Sequence, residues 1–117
     1  MALDSLIRTV GSVRIVDCRG RIVLGEETAK LRELVKDLLL PSAHIVLDLT
    51  HVSHIDSNGI GMLAGVQVTA RKADAVIKLA GLGGHVRSVM EATRLLTLFE
   101  SYATAEEAAA SFPPAGK

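Results

Sequence analysis

Tryptophan is absent, and Phe99, Tyr102 and Phe112 are the only aromatic residues in a chain of 117. Apolar residues still make up 49% of the sequence, so a packed core is expected and must be aliphatic. Cysteine is almost missing. Cys18 stands alone, which excludes an intrachain disulfide and suits a reducing cytosol. Neither sign of charge is in excess, with 13 basic against 13 acidic residues. That balance argues against a large electrostatic footprint for nucleic acid or an anionic membrane. No apolar run is long enough to span a bilayer, since the longest candidate, 38–49, is interrupted by Pro41, Ser42, His44 and Asp48. Residues 1–11 lack the basic start and apolar block of a signal peptide. A soluble cytoplasmic protein is expected, with one domain over 1–117 and a frayed tail at 113–117.

What is present is a regular alternation of strand and helix patterns. Residues 5–10 and 13–18 are rich in Val, Ile and Thr, with Gly11-Ser12 between them as a hairpin turn. Arg19-Gly20 reads as a second turn and 21–24 as a short third strand. The clearest helix is 26–40. Leu31, Leu34, Val35 and Leu38 fall at i, i+3, i+4 and i+7, and Pro41 ends it. Residues 43–49 read as a central strand, being almost continuously apolar. A helix follows over 57–72 with Ile60, Leu63, Ala64 and Ala70 inward, then a strand at 75–80. Gly83-Gly84 precede a helix carrying Val86, Val89 and Met90, and Leu98-Phe99 suit a last short strand. Thr104 and Glu107 form a capping box for an alanine-rich helix ending near Phe112. Strands separated by helices predict a parallel or mixed sheet.

The run Ile55-Asp56-Ser57-Asn58-Gly59 stands at the entry to the 57–72 helix. Its plainest reading is structural. Asp and Ser are favoured N-caps, and Gly59, Gly61 and Gly65 would let the helix approach the sheet closely. Three chemical readings compete for the same residues. Gly59-Ile60-Gly61-Met62-Leu63-Ala64 fits G-x-G-x-x-A, yet it does not directly follow its strand and no acid lies about twenty residues on. The same run is half of a nucleophile elbow, lacking the first glycine. His51, His54 and Asp56 have a spacing that suggests a metal, although such loop histidines are more often only solvated. His44 and His85 have no obvious partner, and no phosphate-binding P-loop pattern occurs.

Val46-Leu47-Asp48-Leu49-Thr50-His51-Val52, then Ile55-Asp56-Ser57-Asn58-Gly59-Ile60-Gly61, then the 76–79 strand together resemble the STAS domain, and specifically the bacterial anti-sigma factor antagonists. The Gly20-Arg21-Ile22 stretch, the helix after it and the closing 95–99 segment fit the same template, so the resemblance covers about 5–112. It implies an α/β fold: a STAS-like mixed sheet of four to five strands with helices mainly on one face. It implies no catalysis, cofactor or metal. The partner it implies is an anti-sigma factor that is also a serine kinase of the histidine-kinase-like ATPase fold. Binding frees a sigma factor, phosphorylation of the serine after the motif Asp breaks the complex, and a PP2C-type phosphatase restores it.

Carried over by position, Ser57 is the phosphoacceptor, and Asp56, Asn58, Gly59, Ile60 and Met62 form the surrounding partner-binding motif. Two positions depart from the pattern. Asn58 replaces a second serine found in many members. The acidic or polar residue common near the end of the third strand is displaced here to Glu26 and Glu27. The alternative function is a non-phosphorylated STAS binding module, such as a stress-signalling scaffold or an accessory subunit of a lipid-transport system. A monomer or weak dimer is expected, with Met62, Leu82 and Leu95 as candidate interface residues.

Overall fold

Gly11 takes a φ of +61°, which costs a glycine nothing, and there the chain reverses. Strand β1 (Leu3–Val10) pairs antiparallel with β2 (Val13–Ile22), Val10 lying opposite Val13. The structure is a computed structural model and describes residues 3–113. Of the tail expected to fray, 114–117 lie outside the described residues.

β2 does not turn at Arg19-Gly20 but continues through Ile22. Gly20, with φ 117°, sits instead where the ladder to the next strand is irregular. That strand, β3 (His44–Ile55), is parallel to β2, and the register shifts between Asp17 and Arg19 and again between Gly20 and Arg21. β3 supplies the extra residue at each shift, so the glycine marks a bulge and not a loop. β3 runs well beyond its apolar block, because Val52 and Ile55 are still buried while Thr50, His51, Ser53 and His54 face solvent.

Helix α1 (Glu26–Asp37) closes before Pro41. Its last turn tightens, with the Leu38 amide donating to Val35 O at 3.0 Å and the Leu39 amide to Lys36 O at 3.1 Å, and Leu39 turns into the core. Helix α2 (Ser57–Lys72) has the expected bounds and leads to β4 (Val76–Ala80), again parallel to β3. Leu63 and Ala70 point inward, joined by Gly59, Met62, Val66 and Gln67, while Ile60 and Ala64 are half-buried. After α3 (Gly84–Ala92), Leu95–Leu98 forms a short 3₁₀ helix where a strand was expected. β5 is displaced to Ser101–Tyr102, and Phe99 drops into the core. Helix α4 (Ala105–Ala110) opens at Thr104, whose Oγ accepts from the Glu107 amide at 3.1 Å.

The strands lie in the order β1-β2-β3-β4-β5, a mixed sheet with only the first pair antiparallel. Side-chain alternation splits the core in two. Val16, Cys18, Ile45, Leu47, Leu49, Ile77 and Leu79 meet α1, α2 and α3 on one face. Val13, Ile15, Val46 and Ala80 meet α4 and Phe112 on the other. Met62, Leu82 and Leu95 are at most 9% exposed and belong to the first core, which removes them as interface residues. Among the described residues no helix is long and apolar enough to cross a membrane.

Candidate functional site

The carboxyl ends of the parallel strands β2, β3 and β4 lead into α1, α2 and α3, so three helix starts converge at one end of the sheet. Asp56 stands at the second of them with extended backbone, and it is the N-cap of α2. Its Oδ1 accepts from the Asn58 amide at 2.9 Å and the Gly59 amide at 3.0 Å. Its Oδ2 accepts from the Leu24 amide at 3.0 Å, across from the β2–α1 loop. These amides, Gly59 first and then Leu24, hold the carboxyl below the usual aspartate range. The Asp56 amide in turn donates to Ile22 O at 3.3 Å.

Gly59 is required by the same junction. A Cβ there would collide with the Ile22 carbonyl oxygen and the Ile55 side chain. Gly61 and Gly65 meet nothing within 4 Å at that position, so the close approach expected of all three belongs to Gly59 alone.

Ser57 is the first residue of α2 and is exposed. It is not the cap, so its hydroxyl is not committed to the helix. Asn58 is exposed beside it and Ile60 is half-buried. Gly59 and Met62 lie beneath the surface, Met62 being 4% exposed, and cannot touch a partner from there. Their place in the motif is to support the helix start. Leu24, 75% exposed on the neighbouring loop, is the largest apolar group presented at this end. The sequence counts it as a strand residue; only its amide bond to Asp56 brings it to the site.

His54 and His85 also meet here, with ring centroids 5.2 Å apart. His54 Nδ1 lies 2.9 Å from Ser53 Oγ, and His85 Nε2 lies 3.4 Å from Ile55 O. Neither imidazole is turned to Ser57 as a base would be. The Asp56 oxygens are taken up by amides, and among the described residues no three potential metal ligands gather, so His51, His54 and Asp56 do not form a ligand set. The amides that would cradle a pyrophosphate in the G-x-G-x-x-A reading are those Asp56 already holds. His44, expected at the surface without a partner, stacks on Phe112 at 4.4 Å.

The model of the STAS domain matches residues 5–108. This chain belongs to the STAS domain family. No curated protein matches the sequence. Among solved structures, an anti-sigma factor antagonist from Mycobacterium paratuberculosis aligns with a TM-score of 0.78 and 22% identity, over 94% of this chain and 93% of that one. The Bacillus cell fate determinant SpoIIAA in its phosphorylated form aligns with a TM-score of 0.69 and 16% identity, over 92% and 97%. The murine anion transporter Slc26a9 aligns with a TM-score of 0.74 and 19% identity, over 88% of this chain but 18% of the transporter. At these identities the likeness establishes the STAS fold.

Proposed function

We propose that this STAS domain is an anti-sigma factor antagonist switched by phosphorylation at Ser57. The observation that carries the reading is the exposed, uncommitted serine at the first residue of α2, beside a carboxylate already engaged by backbone amides. The kinship with antagonists of the same fold supports it. The partner is an anti-sigma factor that is itself a serine kinase of the histidine-kinase-like ATPase fold. Binding frees the sigma factor, and a PP2C-type phosphatase resets the serine. The chain performs no turnover of its own.

The electrostatics give the switch its direction. A phosphate adds about −1.5 to −2 charges at neutral pH. It gains the positive end of the α2 dipole, but the Asn58 and Gly59 amides are already occupied by Asp56. In the free domain water screens the repulsion from Asp56. In a complex the phosphate is partly desolvated beside that carboxylate, a like-charge placement worth several kcal/mol. At about 4 kcal/mol, affinity falls roughly a thousandfold. Asp56 and Asn58 frame the serine, Leu24 and Ile60 provide apolar contact, and Gly59 and Met62 hold the helix start from below.

The test is capture of partners from native cytoplasm with and without nucleotide, then affinity measurements on three forms. Ser57→Ala should bind and resist inactivation, Ser57→Asp should lose part of the affinity, and phosphorylated wild type nearly all of it. If Ser57→Asp binds as wild type does, and peptide mass spectrometry maps phosphate to Thr50, Ser53 or nowhere, the assignment fails. A second reading, a constitutive binding module without phosphorylation, is favoured by the similarity to a segment of an anion transporter. Capture of a transport complex, unaffected by Ser57 substitutions, would select it.

A further inference from the structure

Among the described residues, strand β1 is the outer strand of the sheet, bonded to β2 on one side only. Eight residues long, it pairs with β2 in unbroken register from Leu3 opposite Gly20 to Val10 opposite Val13. It therefore offers a long, regular row of backbone groups. Of the devices that usually blunt such an edge, β1 has no proline, lysine, bulge or extreme shortness; it does carry two charges of opposite sign, Asp4 and Arg8. Two of the large exposed apolar side chains of the described residues lie on it and on one face, Leu6 at 69% and Val10 at 42%.

The charges of β1 are arranged for one occupant. Asp4 and Arg8 stand on the same face as Leu6, two residues to either side of it. An antiparallel copy of β1 related by a two-fold axis through Leu6 sets Leu6 against Leu6, and it sets each Asp4 directly opposite the other chain's Arg8. Shifting the axis to Ser5 or to Ile7 sets each charge opposite an apolar residue or Ser5 and Thr9 opposite one another, with no charge pair. Arg8 is anchored for this purpose, its guanidinium bonded to Asp17 at 3.1 Å and to Glu106 at 3.2 Å, yet its side chain is still 39% exposed. We propose that β1 is a self-association edge, at which a second copy of this chain adds antiparallel across Leu6 to make one continuous ten-stranded sheet from two sheets of five. The Ser57 sites then lie at opposite ends of the joined sheet, both open, so self-association and the phosphorylation site do not compete for surface.

In a two-residue hairpin the closing pair Val10–Val13 is the hydrogen-bonded kind, so Leu6 also bonds toward β2 and the Leu6–Leu6 contact across the axis is a non-bonded pair. Its Cα atoms would stand about 4.5 Å apart, within disulfide range. Val10 would stand eight residues from its own copy, about 26 Å at ~3.3 Å per residue. Cys18 does not interfere, being 1% exposed with its thiol pushed up to about 12 by burial and then by Asp48 and Asp17.

The full chain is tested under mild oxidation and by sedimentation at rising concentration. Leu6→Cys should form a covalent dimer and Val10→Cys should not. Wild type should gain mass with concentration, and Leu6→Lys, which sets like charges opposite one another, should weaken that association by about tenfold. Asp4→Lys should weaken it as well. Circular dichroism checks that the variants keep the fold. A wild type that stays monomeric at every concentration, cross-linking through Val10→Cys as readily as through Leu6→Cys, or association indifferent to Asp4→Lys would each overturn the proposal.

Discussion

On one face of the sheet, Ile45, Leu47 and Leu49 of β3 lie under three helices, among fully buried aliphatic side chains such as Leu31, Leu63 and Met90. On the other, Val46 of the same strand meets three alanines of a six-residue helix and one phenylalanine. The second face also buries a charge. Lys78 is 7% exposed, with its ammonium 4.3 Å from the Phe112 ring centroid, 2.8 Å from Ser111 Oγ and 3.2 Å from Glu100. The first face is held by area, the second by a small number of directed contacts around one cation. Burial by area tolerates a change of shape; a directed cluster depends on each member.

The largest effect should come from the aliphatic face. Leu63→Ala should cost about 2–5 kcal/mol in denaturant unfolding, since Leu63 is wholly buried between helix and sheet. On the other face the comparison can be sharpened with two substitutions at one position. Lys78→Ala should cost ~2 kcal/mol more than Lys78→Met, because methionine fills the space of the buried stem and removes only the charge. The loss common to the two measures the directed contacts of the cation, and equal losses would mean that the stem adds nothing to them. A smaller effect is expected at the start of that helix, where Thr104→Ala should cost ~1 kcal/mol by leaving the Glu107 amide without its acceptor.

The smallest effect lies between the faces and depends on pH. The Asp56 carboxyl is held low in the folded state, chiefly by the Gly59 and Leu24 amides. Its contribution is complete above the ordinary aspartate value of about 3.9 and is lost as pH falls through the lower folded value. Asp56→Asn keeps one acceptor oxygen for the α2 amides but sets an NH2 against the Leu24 amide, so it should lose at neutral pH the part of the stability that wild type loses in acid, and its acid limb below about pH 4 should be flatter. A limb of unchanged slope in Asp56→Asn would assign the acid sensitivity elsewhere.

The aliphatic face was readable from sequence because its order is local. The 3.6-residue spacing of Leu31, Leu34, Val35 and Leu38 announces α1, and the bounds of α2 follow from Asp56 and Ser57 at one end and Lys72 at the other. The mistakes gather where long-range pairing overrides local signals. Gly20 suggests a turn, yet β3 pairs alongside it and absorbs the irregularity as bulges. Thr50, His51, Ser53 and His54 look like loop, yet Val52 and Ile55 carry the strand on by burying every third side chain across those bulges. The short β5 depends on backbone bonds from Leu79 and Gly81 to Glu100 and Tyr102, which no periodicity encodes. At the site, Asp56 and Ser57 are visible as a motif. Leu24 and His85 are not, because each arrives from a different strand end.

The Asp56 carboxylate has one more consequence, in time. The amide of Leu24 belongs to the β2–α1 loop and those of Asn58 and Gly59 to the first turn of α2, but all three share this one acceptor. Rotation of a single side chain releases all three, so their hydrogens should exchange with solvent in one event and at one rate, while the Leu63 amide in the body of α2 waits for a larger opening. The junction of β2, α1 and α2 thus keeps its own clock, faster than the sheet beneath it and set by one torsion beside Ser57.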